Sequence, residues 1–229
     1  MMLSCRCIAI FVFFGFVSMG TPSDGLTVNE EGGRLTLARM KYDGGGDWYN
    51  DPEALPNLAR ELQSRVGIET NLEQRVVILT DDLVFASPIL FMTGHGEIRW
   101  TESEIENLRK YLKNGGFLYA DDDYGMDQAF RREMRRVFPE ENFVELPFTH
   151  PIYHIIYDFS NGPPKHHEHD GKPPQGFGLF HDGRLVVYYT YESNVSDGWA
   201  DEKTHNDPLV KRETAFRMGI NIISYALYR

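Results

Sequence analysis

Residues 89–125 read ILFMTGHGEIRWTESEIENLRKYLKNGGFLYADDDYG, and this stretch decides the fold class. One apolar run ends at Gly94-His95-Gly96, and a second, at residues 117–120, ends at three consecutive aspartates. Between them, TESE at 101–104 has the pattern of a helix-capping box, and the apolar residues that follow it are spaced as one buried helix face. Apolar strands joined by an amphipathic helix predict parallel strands that are covered on both faces.

The same alternation of strands and helices extends in both directions along the chain. The helix before residue 89 is expected to start with Asp51 as its cap and to close at Gly67, and another starts at Asp207-Pro208. The glycine- and proline-rich residues 158–183 are predicted to be an irregular functional loop. The pattern therefore predicts an α/β fold, a three-layer α/β/α sandwich with a mainly parallel sheet. Its predicted strands are 35–40, 76–79, 89–93, 117–120, 152–157 and 185–191.

The N-terminus has the pattern of an export signal. Residues 1–20 combine one arginine, a short apolar run and small residues near a cleavage point, so we predict an exported protein, periplasmic or secreted. Residues 21–33 are expected to form an extension, and residues 34–229 a single domain. The two cysteines, Cys5 and Cys7, both lie in the predicted signal, which excludes disulfides and thiol nucleophiles from the mature chain.

The composition narrows the classes of partner. The chain of 229 residues has 23 Lys and Arg against 34 Asp and Glu, a formal net charge of −11. Such an acidic chain does not attract phosphate backbones, so nucleic acid is excluded as the expected partner. Past the signal, the sequence has no further apolar segment of membrane-spanning length, so the mature chain is expected to have no integral membrane segment. A small molecule or saccharide is the expected ligand.

Polar residues follow the predicted strands where the carboxyl ends of parallel strands gather loops and ligands. After the first strand, a loop with three glycines offers a ligand-binding lining, although a tight turn that only feeds the next helix is the alternative. After residues 89–93, His95 is a candidate catalytic group, with Gly94 and Gly96 leaving its ring and the backbone amides accessible. The candidate ligand-binding residues of the first loop are Asp43, Gly44, Trp48 and Tyr49.

The three aspartates after residues 117–120 repel one another, so the fold must offset that cost. Asp121 and Asp122 are candidate catalytic bases or metal ligands, and Asp123 and Tyr124 are candidate ligand-binding residues. The alternative is that one of these carboxylates caps the following helix.

Residues 163–171 contain the cluster KHHEHDG. In an extended segment, residues two apart project to the same side, so His167 and His169 are candidate ligands of one divalent metal such as zinc. A polar active-site loop without metal and a solvated loop remain alternatives. Four further residues are candidates for ligand binding at the same edge: Asp170, Lys172, Trp199 and His205. Asp207 is most simply the cap of the last helix.

The motifs KYDGGGDWYND, FMTGHG, GGFLYADD, HPIYH, HEHDGKPPQG, DGRLVVYYTY, DGW and HNDP resemble, in this order, the bacterial domain-of-unknown-function family 4159. The resemblance covers roughly residues 34–228. It implies a flavodoxin-like fold similar to class I glutamine amidotransferases, and no assigned activity. Amidotransferases use a cysteine nucleophile, which the mature chain lacks, so their chemistry is not expected here.

Three functions are compatible with these residues. The first is an exported hydrolase or lyase that uses Asp and His groups, assisted by a divalent metal. The second is a non-catalytic ligand- or saccharide-binding domain in which aromatic side chains provide stacking surfaces. The third is an envelope assembly protein whose acidic surface docks a partner.

Overall fold

One seven-stranded sheet organises the chain. The computed structural model describes residues 33–228. The strand order is β2-β1-β3-β4-β7-β6-β5; the first five are parallel neighbours, β6 is antiparallel to β7, and β5 is antiparallel to β6. The strands are β1 (Ala38–Lys41), β2 (Arg75–Ile78), β3 (Ile89–His95), β4 (Phe117–Tyr124), β5 (Val144–Glu145), β6 (Gln175–His181) and β7 (Arg184–Tyr191).

Helices cover both faces of this sheet, as the sequence predicts. One core cluster joins α1, α5 and the inward residues of the strands on one face, and a second cluster joins α2, α3 and the opposite face. The α-helices are α1 (Ala54–Val66), α2 (Glu102–Lys113), α3 (Asp127–Val137), α4 (Glu202–His205) and α5 (Leu209–Tyr228). Short 3-10 helices are formed by Asp82–Val84, Pro151–Tyr153 and Val195–Trp199.

The predicted helix signals are confirmed in two places. At the start of α2, Glu104 N–H donates to Thr101 Oγ1 at 3.3 Å, and the Glu104 carboxylate accepts from Thr101 N–H at 2.8 Å. These reciprocal bonds satisfy two of the amides that a helix N-terminus leaves free. At the end of α1, Gly67 has a φ of 70°, the left-handed conformation that closes a helix.

Two predictions near the sheet's antiparallel edge are wrong. Residues 152–157 do not form a strand; Ile152 and Tyr153 reach the core from a 3-10 helix. Residues 175–181, predicted to belong to an irregular loop, form β6. Gly176 and Gly178 obscure this strand in the sequence, because they stand at alternate positions where a strand normally carries side chains. At position 176 a Cβ would collide with the hydroxyls of buried tyrosines, so glycine is required there.

The prediction that Asp51 caps α1 is also wrong. The residue before α1 is Glu53, and no side-chain cap is formed there. Asp51 has a φ of 44° and its carboxylate points to His205 instead. A signal peptide at residues 1–20, most of the predicted extension, and both cysteines lie outside the described residues. Between residues 33 and 228, no helix has both the length and the apolar character needed to cross a bilayer.

Removing the Thr101 hydroxyl tests the capping box. We expect Thr101→Ala to lower the free energy of unfolding by about 1 kcal/mol, because the N–H of Glu104 loses its acceptor. Urea denaturation followed by circular dichroism measures the change. Thr101→Ser, which keeps the hydroxyl, is the matched control, and equal losses for both variants would contradict the capping role.

Candidate functional site

Polar side chains converge where the parallel strands end. The chain passes from β1 to β2 on one side and later to β3 on the other, so the loops after β1 and β3 diverge and leave a crevice. The end of β4 and the 3-10 helix Val195–Trp199 adjoin the same place. The prediction that glycine-, aspartate- and histidine-bearing connections meet at one edge agrees with this arrangement.

Buried Arg39, on β1, fixes the loop that follows its own strand. Its guanidinium donates to the carbonyl oxygens of Trp48 at 3.1 Å, Asn50 at 2.8 Å and Asp51 at 3.0 Å. Its Nε donates to Gln74 Oε1 at 2.8 Å. Burial lowers the pKa of Arg39 to about 10, so the side chain stays charged at neutral pH. Three carbonyls of residues 48–51 are therefore held by one buried cation.

His95 lies at the centre of the edge, between carboxylates from two elements. Its Nδ1 is 3.0 Å from Asp47 Oδ2 and 3.3 Å from Asp123 Oδ2, and its backbone N–H donates to Asp47 Oδ1 at 2.5 Å. The predicted glycines place the ring: Gly94 has a φ of 139° and packs under the Tyr42 hydroxyl. His95 remains half exposed, so it can contact a ligand while two carboxylates orient it.

Asp123 and Asp197 are two carboxyls linked by one amide. Asn194 Nδ2 donates to Asp123 Oδ1 at 2.6 Å and to Asp197 Oδ2 at 2.9 Å. Burial, and then the negative charge of Asp197, hold the pKa of Asp123 well above its usual value. Burial also opposes ionisation of Asp197, but hydrogen bonds from His167 and Asn194 outweigh it and lower the pKa of Asp197. Asn50 donates a further hydrogen bond to Asp123.

A cluster of histidines and carboxylates adjoins this pair. His167 Nδ1 is 2.6 Å from Asp197 Oδ2, and its Nε2 is 3.2 Å from Asp207 Oδ2. Two overlapping triads bring one possible ligand atom from each member within 4.8 Å of the others. The first triad is His166, His167 and Asp207; the second is His167, Asp197 and His205.

The two triads differ in exposure. In the second triad, the side chains of His167 and His205 are each 27% exposed, so a bound ion would be accessible from solvent. In the first triad, His166 is buried, and its ring packs against the backbone of Gly198. The second triad thus has two partly exposed histidines, whereas the first has one, His167.

The predicted metal pair of His167 and His169 is not formed. His166 and His167 are consecutive, yet both turn toward Asp207, so the segment is not extended and the two-residue repeat does not hold. The ring of His169 lies 5.0 Å from that of Tyr124 instead. His205, predicted as a ligand-binding residue, takes the place expected for His169.

The three aspartates lie within β4, which is longer than predicted, and alternate between the sheet faces. Asp121 is fully buried; it accepts from Ser196 N–H at 2.6 Å and from the Thr190 hydroxyl, so it has no free side for a substrate. The catalytic role predicted for Asp121 is therefore not supported by its position. Asp122 points to the opposite face, where its Oδ1 accepts from Met126 N–H at 3.0 Å just before α3.

Two predicted stacking surfaces behave differently from expectation. Trp199 is fully buried and donates from Nε1 to Ala215 O at 2.8 Å, so it is a core residue and offers no surface to a ligand. Trp48 is partly buried and packs against the core, with the Lys41 ammonium 5.5 Å from its ring. Tyr49 is 63% exposed.

The remaining loop candidates lie beside the crevice. Asp43 is exposed, and its carbonyl accepts from Arg99 N–H at 2.7 Å in an isolated bridge. Gly44 has a φ of 121° and lies so close to this backbone that a side chain would not fit. Their observed role is to hold the loop after β1 against the segment after β3.

A cavity of about 380 Å³ opens on the Asp122 face of the same edge. Tyr124, Asp170 and His169 contribute to its wall. Lys172 lies next to it, donating from Nζ to the Tyr191 hydroxyl at 3.1 Å. Several residues predicted as one site are thus divided between the crevice and this cavity.

Sequence reasoning did not assign a site role to several residues that form the cluster. Asp51 and Asp207 were interpretable as helix caps, and both bind histidines instead. Asp197 belongs to the DGW motif, in which Trp199 is the residue that suggests a ligand-binding role. Asn194 matches the pattern of a glycosylation site, which points to a different role. The signal in the sequence is the high density of Asp, Asn and His residues after the strands. It indicates which edge of the sheet carries polar groups, but not which of these residues contact one another. The unassigned site residues are Asp47, Asn50, Asp51, His166, Asn194, Asp197 and Asp207.

The comparisons with known proteins agree with the motif resemblance. A family model described as Domain of unknown function (DUF4159) matches residues 36–227. The chain belongs to this family. No curated protein matches the chain.

Asp122 makes the free energy of unfolding depend on pH. Burial raises the pKa of Asp122 to about 7 from an ordinary value of 3.8. The folded chain therefore keeps a proton that the unfolded chain releases near pH 4, and the stability contributed by this group falls as pH rises from about 4 to about 7. We expect Asp122→Asn, which keeps the oxygen facing Met126, to gain roughly 2 kcal/mol more stability at pH 8 than at pH 5.

Urea denaturation at the two pH values measures this difference. Asp43→Asn, which changes an exposed carboxylate, is the control. An Asp122→Asn gain that is equal at both pH values would show that the buried charge is not the cause.

Replacing the guanidinium of Arg39 tests the support of the 48–51 loop. Arg39→Lys leaves one ammonium for three carbonyls, and each buried acceptor left unpaired costs about 1–3 kcal/mol. We expect the free energy of unfolding to fall by at least about 2 kcal/mol. Arg34→Lys, at an exposed arginine, is the matched control. Equal unfolding midpoints for the two variants would contradict the role of Arg39.

Proposed function

We propose that this protein is an exported, metal-assisted hydrolase whose metal ion is held by His167, Asp197 and His205. The observation that carries the proposal is the grouping of these three ligand atoms within 4.8 Å of one another on a solvent-accessible side of the cluster. Two imidazoles and one carboxylate form a ligand set used by catalytic zinc sites, which keep a further position open for water or substrate.

Outer carboxylates support each histidine of the proposed centre. His205 binds Asp51 Oδ2 through Nε2 at 2.8 Å, and His167 faces Asp207 through Nε2 at 3.2 Å. The Nδ1 atom of His167, 2.6 Å from Asp197 Oδ2, then lies on the side of the ring where that carboxylate would share an ion with it. Carboxylates that accept the second ring N–H fix the orientation of metal-binding histidines and raise their basicity.

His95 is the proposed proton-transfer group. A divalent ion held by His167, Asp197 and His205 would supply a nucleophile at neutral pH, since it would lower the pKa of a bound water. The water oxygen bonds to the electrophilic atom of the substrate, the bond to the leaving group breaks, and His95 transfers the proton between them. Its imidazole is connected to the metal ligands through Asp123 and Asn194, whose amide contacts Asp197.

The order of the parallel strands supports the finer fold assignment that the family resemblance implies. The five parallel strands are arranged as β2-β1-β3-β4-β7, and the fifth parallel strand in the chain lies beside the fourth. This arrangement is the doubly wound order 2-1-3-4-5 of flavodoxin-like folds, in which ligands bind at the β1/β3 switch point. Asp47 and His95 come from the two loops at that point, which supports a flavodoxin-like, amidotransferase-like fold without amidotransferase chemistry.

Export is the remaining part of the proposal. It is supported by residues 1–20, where a short apolar run follows a single arginine and precedes small residues. A site built from Asp, His and Asn without thiols also suits an oxidising compartment, because its ligands are not subject to disulfide formation.

Metal analysis of the full chain, purified without chelators or a histidine tag, tests the centre. We expect about one equivalent of zinc or a similar divalent metal per chain. His167→Ala and His205→Ala should abolish binding, and Asp51→Asn should weaken it by about 10–100-fold, because it removes only the outer carboxylate of His205. Inductively coupled plasma mass spectrometry and competition with a chromogenic chelator measure content and affinity.

His154→Ala is the matched control, since this histidine pairs with Asp158 outside the cluster. A folded wild-type protein that binds neither zinc, manganese nor iron would contradict the proposed centre. Full metal binding by His167→Ala would contradict the ligand assignment.

A further inference from the structure

The cavity on the Asp122 face has features that the proposed hydrolysis does not use. It lies between the end of β4, the start of α3 and the segment around Asp170, and its volume of about 380 Å³ is in the range of small-molecule sites. The metal-ligand triads lie on the other face of β4, with Asp121 and Asp123. The contents of the cavity can therefore be considered separately from the metal centre.

The charges of the cavity wall decide between two classes of ligand. Five carboxylates line the wall, which at first suggests a site for a cation. Four of them, however, already have a basic partner, so their oxygens are oriented acceptors and not free charges. The four pairs are Glu97–Arg132 (3.1 Å), Asp127–Arg131 (2.6 Å), Asp170–Lys172 (3.6 Å) and Glu192–Lys165 (2.9 Å).

Asp122 is the fifth carboxylate. Within the described part of the chain it has no ion-pair partner, and its pKa is raised to about 7 by burial. A carboxyl with this pKa is protonated for a large part of the time near neutral pH and mostly protonated below it, and its protonated form can donate a hydrogen bond from its hydroxyl. The wall thus offers fixed acceptors and a donor, which suits a neutral ligand with hydroxyl groups better than a polyamine or a metal ion.

Tyr124 provides an aromatic face at the mouth of the cavity. Its ring is 49% exposed, and its hydroxyl donates to Asp170 Oδ1 at 3.1 Å. The backbone of Tyr124 has a φ of 150°, which side-chain-bearing residues rarely adopt. Such a conformation has a cost and is found preferentially at functional sites. The register of β3 and β4 shifts between Gly94 and His95, and His95 is the residue paired with Tyr124.

His169 supplies unused hydrogen-bonding capacity in the same wall. Both ring nitrogens are buried, and among residues 33–228 neither has a hydrogen-bond partner with proper geometry, although Asn194 lies beside the ring. Leaving buried polar atoms unpaired is unfavourable. A neutral imidazole has one donor and one acceptor, and a sugar hydroxyl can satisfy either of them.

We infer that this cavity binds a neutral saccharide, which stacks on Tyr124 and forms hydrogen bonds with His169, Asp170 and Asp122. An exposed aromatic ring with oriented carboxylates and a donor imidazole matches a ligand that has an apolar C–H face and a polar hydroxyl edge. The inference depends on the cavity alone, so it holds whether or not the metal centre is catalytic.

Saturation-transfer NMR and calorimetry with the full chain test the inference. The probes are glucose, galactose, N-acetylglucosamine, cellobiose and chitobiose, each added to metal-free and zinc-loaded protein. We expect at least one of them to bind in both states with the same affinity. Tyr124→Ala should weaken that binding about tenfold, the loss expected for about 1.4 kcal/mol of stacking.

Three variants separate the possible outcomes. Tyr124→Phe keeps the ring, so saccharide binding should fall less than in Tyr124→Ala. This variant also allows the inference to be tested if the alanine variant does not fold. Tyr228→Ala, at another exposed tyrosine, is the matched control and should bind like wild type. His167→Ala should lose metal and keep saccharide binding, which distinguishes failure of this inference from failure of the metal centre.

Binding of none of the saccharides would overturn the inference. So would binding of spermidine or Mg²⁺ at the same residues, because it would identify the cavity as a cation site. Saccharide binding that is unchanged in Tyr124→Ala, or that is lost equally in Tyr228→Ala, would place the ligand elsewhere and also overturn it.

Discussion

The buried guanidinium of Arg39 is the interaction on which the candidate site depends most. A planar group with five N–H donors can hold several carbonyl oxygens in a fixed arrangement, whereas an ammonium offers only three donors from a single nitrogen atom. Here it binds the backbone of Trp48, Asn50 and Asp51 from below, at the point where β1 ends. Asp47, Asn50 and Asp51 of this loop contact His95, Asp123 and His205 in that order. One buried cation therefore helps to position groups that are far apart in the sequence.

The electrostatic arrangement of the edge follows from this placement. Carboxylates brought together by converging strands repel one another, and the fold offsets the repulsion in two ways. Some are paired with imidazoles, as Asp197 is with His167, and the pKa of Asp197 is lowered. Others are bound by amides, as Asp123 is by Asn50 and Asn194, and its pKa is raised. Neighbouring carboxyls held in different protonation states are a common arrangement where protons are transferred.

The sequence predicts the fold better than the site, and particular residues show why. The alternation around β3, α2 and β4 depends on local patterns, so the α/β class and the capping box follow directly. Strand β6 was missed because Gly176 is required by tertiary contacts that no local pattern records. The partners of the histidines are up to 154 residues apart, as for His205 and Asp51, and such pairs follow from loop conformation alone. An assumed extended conformation therefore pairs His169 with His167, whereas the folded chain groups His205 with His167 and Asp197.

The alternation of β4 has a consequence for how the molecule can be altered. Consecutive aspartates serve two compartments, because a strand sends neighbouring side chains to opposite faces. Asp122 can be exchanged without touching the groups around Asp123, and the reverse is also true. In related chains, the residues on the Asp122 face and those on the Asp123 face could therefore change independently, because β4 separates the two groups. If β4 shifted by one residue relative to its neighbours, each aspartate would move to the opposite face of the sheet. The register of β4 is therefore more tightly constrained than the residues that line either face.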